Sequence, residues 1–186
     1  MKHFKLTSEK TVNALGVELF RIELTIDCKW GKAGDKGGFV EKEDNIIGNA
    51  WVSGNACVYS NARVYGDAQV SGDAWVYGNA RVYGDARVYG NAQVSGNARV
   101  YGNARVYGDA WVSGNAWKIS PLQIQGSRHF VTECKKGYLK IGCKEFTFEY
   151  WKKNFKEIVE QEEYTPNQIS EYGLYIDLAI ALQNVR

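Results

Sequence analysis

A three-sided parallel β-helix is the fold this chain predicts, and three observations carry it. From Ala50 to Asn115 a unit of form Ala-x-Val-y-Gly-Asn/Asp recurs eleven times without insertion. A short fixed period marks a solenoid, whose units bury their apolar sides only by stacking on neighbours. Within each unit alanine and valine alternate with x and y, so both point into a narrow tube while x and y point outward. The Gly-Asn or Gly-Asp that follows supplies a permissive corner. Sorting every third y residue together gives Ser53, Ser71, Tyr89 and Tyr107 on a first face. A second face holds Tyr59, Tyr77, Ser95 and Ser113, and a third Tyr65, Tyr83 and Tyr101. Like residues fall into blocks here and mix under a two-sided sorting, so one coil takes 18 residues.

Residues 1–37 read as an N-terminal β cap. Phe4-Lys5-Leu6 and the alternating run Val17 to Ile26 predict a hairpin. An open solenoid end is an exposed sheet edge, which a hairpin covers. The glycine-rich run Gly31 to Gly38 lacks the Gly-Lys-Ser/Thr of a phosphate-binding loop and no long helix follows it, so it reads as a connecting turn.

Residues 38–127 form the hexapeptide solenoid. Val40 and Ile46 extend the valine register upstream, and Ile124, with Gly126 in the turn slot, extends it downstream. Lys118 breaks the pattern at an inward valine position. Fifteen hexads make five coils, a prism roughly 24 Å tall at the strand spacing of about 4.8 Å.

Residues 128–186 change period and read as a C-terminal α+β cap or oligomerisation segment. His129 to Thr132 and Gly137 to Cys143 predict a hairpin turning at Lys135-Lys136-Gly137. A helix follows with Phe148, Trp151, Phe155, Ile158 and Val159 on one face. A second begins at Thr165-Pro166 with Gln168 completing a capping box, and carries Ile169, Tyr172, Ile176, Ala179 and Ile180 as its stripe. Seven lysines between Lys135 and Lys156, followed closely by Glu157, Glu160, Glu162 and Glu163, read as a solvated face.

The outward x residues define the candidate binding surface. Arg63, Arg81 and Arg99 share the third face with Tyr65, Tyr83 and Tyr101, in a column ending at Trp117. Across the adjoining corner lie Arg87 and Arg105 with Tyr89 and Tyr107. Guanidinium forks bind phosphate or carboxylate and tyrosine faces stack on bases, so this edge suits a nucleotide, a nucleic-acid strand or an acidic partner. Two other readings stand beside it. Arginine and tyrosine pack on each other as a cation–π ladder that merely stabilises the sheet, or the edge joins copies of the chain. The corner residues Asp67, Asp73, Asp85 and Asp109 nearly cancel the repeat's arginines.

Composition narrows the classes further. A formal net charge of +2 produces no strong overall field toward nucleic acid or an anionic membrane. Cys28, Cys57, Cys134 and Cys143 form no Cys-x-x-Cys pair and the N-terminus lacks an apolar signal core, which points to reduced thiols in a cytoplasm. No run reaches the ~18 apolar residues of a membrane span. The two histidines, His3 and His129, lie outside the repeats and cannot supply a three-histidine metal site. No threonine ladder lines a face, and Cys57 has no histidine partner for nucleophilic chemistry.

The repeats Asn79 to Ala92 resemble the left-handed parallel β-helices of the hexapeptide-repeat superfamily. More narrowly, Lys32 to Glu41 and the tail from Ser120 to Leu182 are similar to hexapeptide-repeat proteins of the YdcK type, met in bacteria, prophages and phages. The resemblance implies a left-handed helix but no particular reaction. The superfamily's acyltransferases use a histidine base and a projecting loop, so His129 is the residue on which an acyltransferase reading rests. The expectation is a non-enzymatic, cytoplasmic binding solenoid without cofactor or metal. It presents its Arg/Tyr edge to a protein or phosphate-bearing partner, with a phage-encoded inhibitor of a host defence system as one form. A homo-oligomer is expected, and a purely structural, self-assembling solenoid is the further alternative.

Overall fold

The computed structural model describes residues 2–114, 116–117 and 120–183, in two compact units that divide between Ser120 and Pro121. The first unit is a β-solenoid whose three walls are parallel sheets of very short strands. Arg81 pairs with Arg63 and Arg99, Arg87 with Gln69 and Arg105, and Gln93 with Trp75 and Trp111. Every partner lies 18 residues away, so the three-sided sorting of the outward positions holds.

The reason is visible in the core. All eleven repeat alanines and all eleven repeat valines from Ala50 to Val112 are at most 1% exposed. A small and a branched side chain per hexad fill the tube, and the backbone hydrogen bonds run from coil to coil, as in Arg81 N–H to Ala98 O at 2.9 Å and Tyr83 N–H to Val100 O at 2.9 Å. Corner glycines sit at positive φ, for example Gly72 at 71° and Gly90 at 72°, a region that costs other residues roughly 1–2 kcal/mol. Within the eleven repeats from Ala50 only Ser60 replaces the corner glycine, at φ 60°, and there the Glu41 carboxylate accepts its N–H at 2.5 Å.

The hairpin's first strand, Phe4–Val12, is longer than the sequence predicts and its second, Glu18–Leu24, shorter. It protects an edge by pairing with it. Glu18–Leu24 runs antiparallel to Lys36–Val40, which is itself the first parallel rung of the second face through Phe39–Cys57 and Val40–Val58. The glycine-rich run makes this possible. A Cβ on Gly37 would lie 2.5 Å from Ile22 and 2.6 Å from the Val52 carbonyl, and one on Gly38 2.6 Å from the Ala56 carbonyl.

Four expectations need correction. The solenoid has about four turns rather than five. Ile124 does not continue it, because Gln123–Gln125 pairs antiparallel with Phe130–Lys135 and Ile124 lies opposite Val131. That hexad places Leu122 where the narrow tube takes alanine, and Pro121 has no N–H to give to a ladder. Trp117 does not end the outward column. It pairs with Val100 rather than Arg99 and is 8% exposed. A one-residue slip exchanges the two sides of a strand, which puts Trp117 in the register of the inward valines at the end of the tube. Lys118 lies outside the described residues. Finally, not every outward side chain is free. Tyr59 is 1% exposed against Leu19 and Phe39, Trp51 is covered beside His3, and Ser95 lies under Trp111, whose indole N–H donates to its hydroxyl at 3.2 Å.

The second unit is a four-stranded antiparallel sheet with two helices. Its strands are Gln123–Gln125, Phe130–Lys135, Tyr138–Ile141 and Lys144–Thr147. The outer two were not foreseen, being short and half-exposed with no alternation to mark them. Helix α1 spans Phe148–Gln161 and α2 Pro166–Gln183. The capping box forms as its spacing dictates, Gln168 N–H to Thr165 Oγ1 at 3.3 Å and Thr165 N–H to Gln168 Oε1 at 3.0 Å. Phe148 and Trp151 of α1 join Tyr172, Ile176 and Ala179 of α2 over Val131, Leu139 and Ile141. Among the described residues no helix is long and apolar enough to cross a membrane.

Candidate functional site

Three outward columns meet on the third face, one residue of each per coil. Arg63, Arg81 and Arg99 stand in register and exposed. On the corner that leads into them stand Asn61, Asn79 and Asn97, linked by Asn61 Nδ2–H to Asn79 Oδ1 at 3.3 Å and Asn79 Nδ2–H to Asn97 Oδ1 at 3.2 Å. These six side chains, with Ala62, Lys42 and Asp44, line a groove of about 550 Å³. The asparagine column was not singled out from the sequence, although Asn-Ala-Arg recurring at 61, 79 and 97 is its signal.

Like charges opposed on neighbouring strands repel, and sheets ordinarily relieve this with carboxylates. Here none does. Among the described residues, no salt bridge or side-chain hydrogen bond engages Arg63, Arg81, Arg87 or Arg99. The corner aspartates are occupied elsewhere or lie on other corners. Asp67 pairs with Lys29, while Asp73 and Asp109 accept from Asn55 and Asn91 at 3.1 and 2.9 Å. Asp44, the groove's one carboxylate, lies 3.8 Å from Lys2. The near-cancellation of charge across the whole repeat therefore conceals a local cationic surplus.

The tyrosines belong to a different arrangement. Tyr65, Tyr83 and Tyr101 stack on one another with centroids 4.7 and 5.0 Å apart and planes within 6°. Burial, and then the neighbouring Tyr65 and Tyr101, raise the Tyr83 hydroxyl pKa, with Arg99 and Arg81 acting oppositely. No cation–π contact joins the ladder arginines Arg63, Arg81, Arg87 or Arg99 to these rings; the contacts of that kind lie elsewhere, such as Arg21 over Phe39 at 4.2 Å. Around the next corner Arg87, Tyr89 and Arg105 line a shallower hollow of about 200 Å³ with Gln69 and Ser71, and Tyr89 stacks on Tyr107 at 5.5 Å. Nine of the ten predicted site residues thus divide between two hollows and a tyrosine column, and the tenth, Tyr107, stacks on Tyr89.

Residues 62–78, 68–83, 74–90, 80–96, 92–104 and 98–114 match the family model described as the YdcK Beta solenoid repeat. These are YdcK-type β-solenoid repeats. The chain matches no curated protein. The YdcK-type repeats contain every arginine of both hollows, so the arginine surface is made by the repeat itself, while Lys42, Asp44 and Asn61 of the larger groove lie upstream of the matched residues. It owes nothing to an inserted loop.

The remaining candidates lie outside both hollows. The glycine-rich turn spends its amides on its own carboxylates, Lys32 N–H to Asp35 Oδ2 and Ala33 N–H to Asp27 Oδ1, both at 2.8 Å. His129 is positioned through its backbone, its carbonyl accepting from the Tyr172 hydroxyl at 2.9 Å, and its ring lies beside Tyr164 and Gly142. Burial, then the Asp73 carboxylate, pushes the Cys57 thiol up to about 11. In the lysine-rich tail Lys135, Lys144 and Lys152 pair with Glu145, Glu162 and Asp177.

Proposed function

We propose that this solenoid is a binding protein that uses the Arg63–Arg81–Arg99 face to hold an anionic partner. The observation that carries the reading is a column of three in-register guanidiniums, with no ion-pair partner among the described residues, beside a neutral asparagine corner. A sheet built only for stability gains nothing by leaving like charges stacked. A surface that waits for anions does, because each guanidinium keeps its donor fork free. Retention on a heparin matrix tests this directly. The protein is expected to elute well above the salt required by its Arg63→Gln, Arg81→Gln, Arg99→Gln variant, whereas Arg87→Gln shifts elution less. Equal elution of parent and triple variant would remove the reading.

Self-association is supported by a separate observation, since Leu174 and Leu178, one turn apart on α2, are 70% and 45% exposed. A second copy covering them would give a dimer that Leu174→Glu disrupts, read as a drop in native mass.

A further inference from the structure

We infer that the occupant of this groove is a phosphate chain read through its phosphates alone, with no base or sugar recognition. The inference rests on the anionic reading above and narrows it to one ligand chemistry.

Apart from the Asp44 carboxylate and Asn61 Oδ1, the groove offers mainly donors. Each guanidinium carries N–H groups only, and the asparagine ladder spends Oδ1 of Asn79 and Asn97 on the preceding Nδ2–H. Every Nδ2 keeps at least one further N–H. A sugar needs acceptors as well as donors, whereas phosphate oxygens need donors only. The donors also repeat along the tube at the strand spacing of about 4.8 Å, so they suit a linear run of anions rather than a single one.

Base recognition lacks its usual platform. Sequence-tolerant strand binding relies on bases stacking on open aromatic faces. Tyr83 has both ring faces covered and Tyr65 and Tyr101 one each, with planes 3° and 6° apart, and no aromatic ring lines the groove. A protein partner is disfavoured on similar grounds. Interfaces are anchored by a buried aromatic or aliphatic cluster, and the groove's only apolar side chain is Ala62.

Two sources present this chemistry, condensed polyphosphate and a nucleic-acid backbone. Fluorescence-detected binding to long-chain inorganic polyphosphate, oligodeoxythymidylate, an abasic deoxyribose-phosphate oligomer and polyglutamate separates them. The expected result is binding to at least one of the first two, with the abasic oligomer equal to oligodeoxythymidylate and polyglutamate at least tenfold weaker. The tighter of polyphosphate and oligodeoxythymidylate names the source. For oligodeoxythymidylate the slope of log affinity against log salt should be roughly −2 to −3, as three or four neutralised phosphates require. Changing Arg63, Arg81 and Arg99 together to Gln should weaken binding by about a hundredfold. Since that variant sheds repulsion it should melt no lower than the parent, which separates lost binding from lost fold. Polyglutamate binding as tightly through the same arginines would overturn the phosphate inference and leave the anionic reading standing. A clear preference for oligodeoxythymidylate over the abasic oligomer would overturn it too. Binding of none of the four would overturn both.

Discussion

A glycine at a corner of this solenoid answers to two constraints, and they separate experimentally. Gly90 has φ 72°, and a Cβ there would lie 2.9 Å from the Gly108 nitrogen one coil on. Gly114 shares the conformation, φ 76°, but a Cβ meets nothing within 4 Å. Gly114→Ala should therefore cost only the left-handed backbone, about 1 kcal/mol, and Gly90→Ala distinctly more, about 2–3 kcal/mol. Denaturant midpoints check this, and equal losses would show that the close coil contact is unimportant. Cys57 makes a second point about local environment. With its thiol pKa near 11 it holds roughly a hundredfold less thiolate at neutral pH than a free thiol. Iodoacetamide at pH 7.5 should accordingly modify the exposed Cys143 long before Cys57, as peptide mass mapping would reveal.

Columns are the functional elements of this fold, because an 18-residue period converts every side-chain choice into a vertical row. The arginine row is built at a cost in stability that the tyrosine row offsets. Arg81→Gln removes the central charge of three and should stabilise the free protein by about 0.5 kcal/mol, more at 10 mM salt than at 500 mM, where screening has already weakened the repulsion. Tyr83→Ala breaks two stacked contacts and should destabilise by about 1–3 kcal/mol. A melting temperature lowered by Arg81→Gln would mean that the guanidinium is stabilised by the protein and is no free donor. The asparagine row explains why the surplus persists. Acidic corners occur on the other two edges, at Asp67 and Asp85 and at Asp73 and Asp109, while Asn61, Asn79 and Asn97 keep carboxylates from the Arg63 column.

For the molecule as a whole, pH acts through its two histidines. Burial holds both His3 and His129 below the ordinary imidazole range, with Arg128 adding to the effect at His129. The unfolded chain then binds protons more readily than the folded one as pH falls through about 6.5, so this stability is complete above that value and lost below it. Denaturation midpoints should be level from pH 8 to 7 and fall between about 6.5 and 5, and the His3→Gln, His129→Gln variant should show a flatter fall. Matching slopes would remove the histidines from the account. The repeat made most of this architecture legible in advance. A six-residue period with alanine and valine inward admits one register, and one slip would bury every arginine, so the three faces, the 18-residue coil and the arginine columns all followed from residue order. Where the period lapsed, prediction failed: Trp117 shifted inward, and Ile124 left the tube for a sheet whose pairing joins residues with no shared pattern. Residue order alone therefore determined which side chains line each face. Whether Arg81 is neutralised, whether Tyr83 offers a ring or spends it on its neighbours, and which of ten candidates share a groove depend on distances across corners and coils. Tertiary packing decided those, because charge pairing and stacking are short-range and periodicity specifies direction without specifying reach.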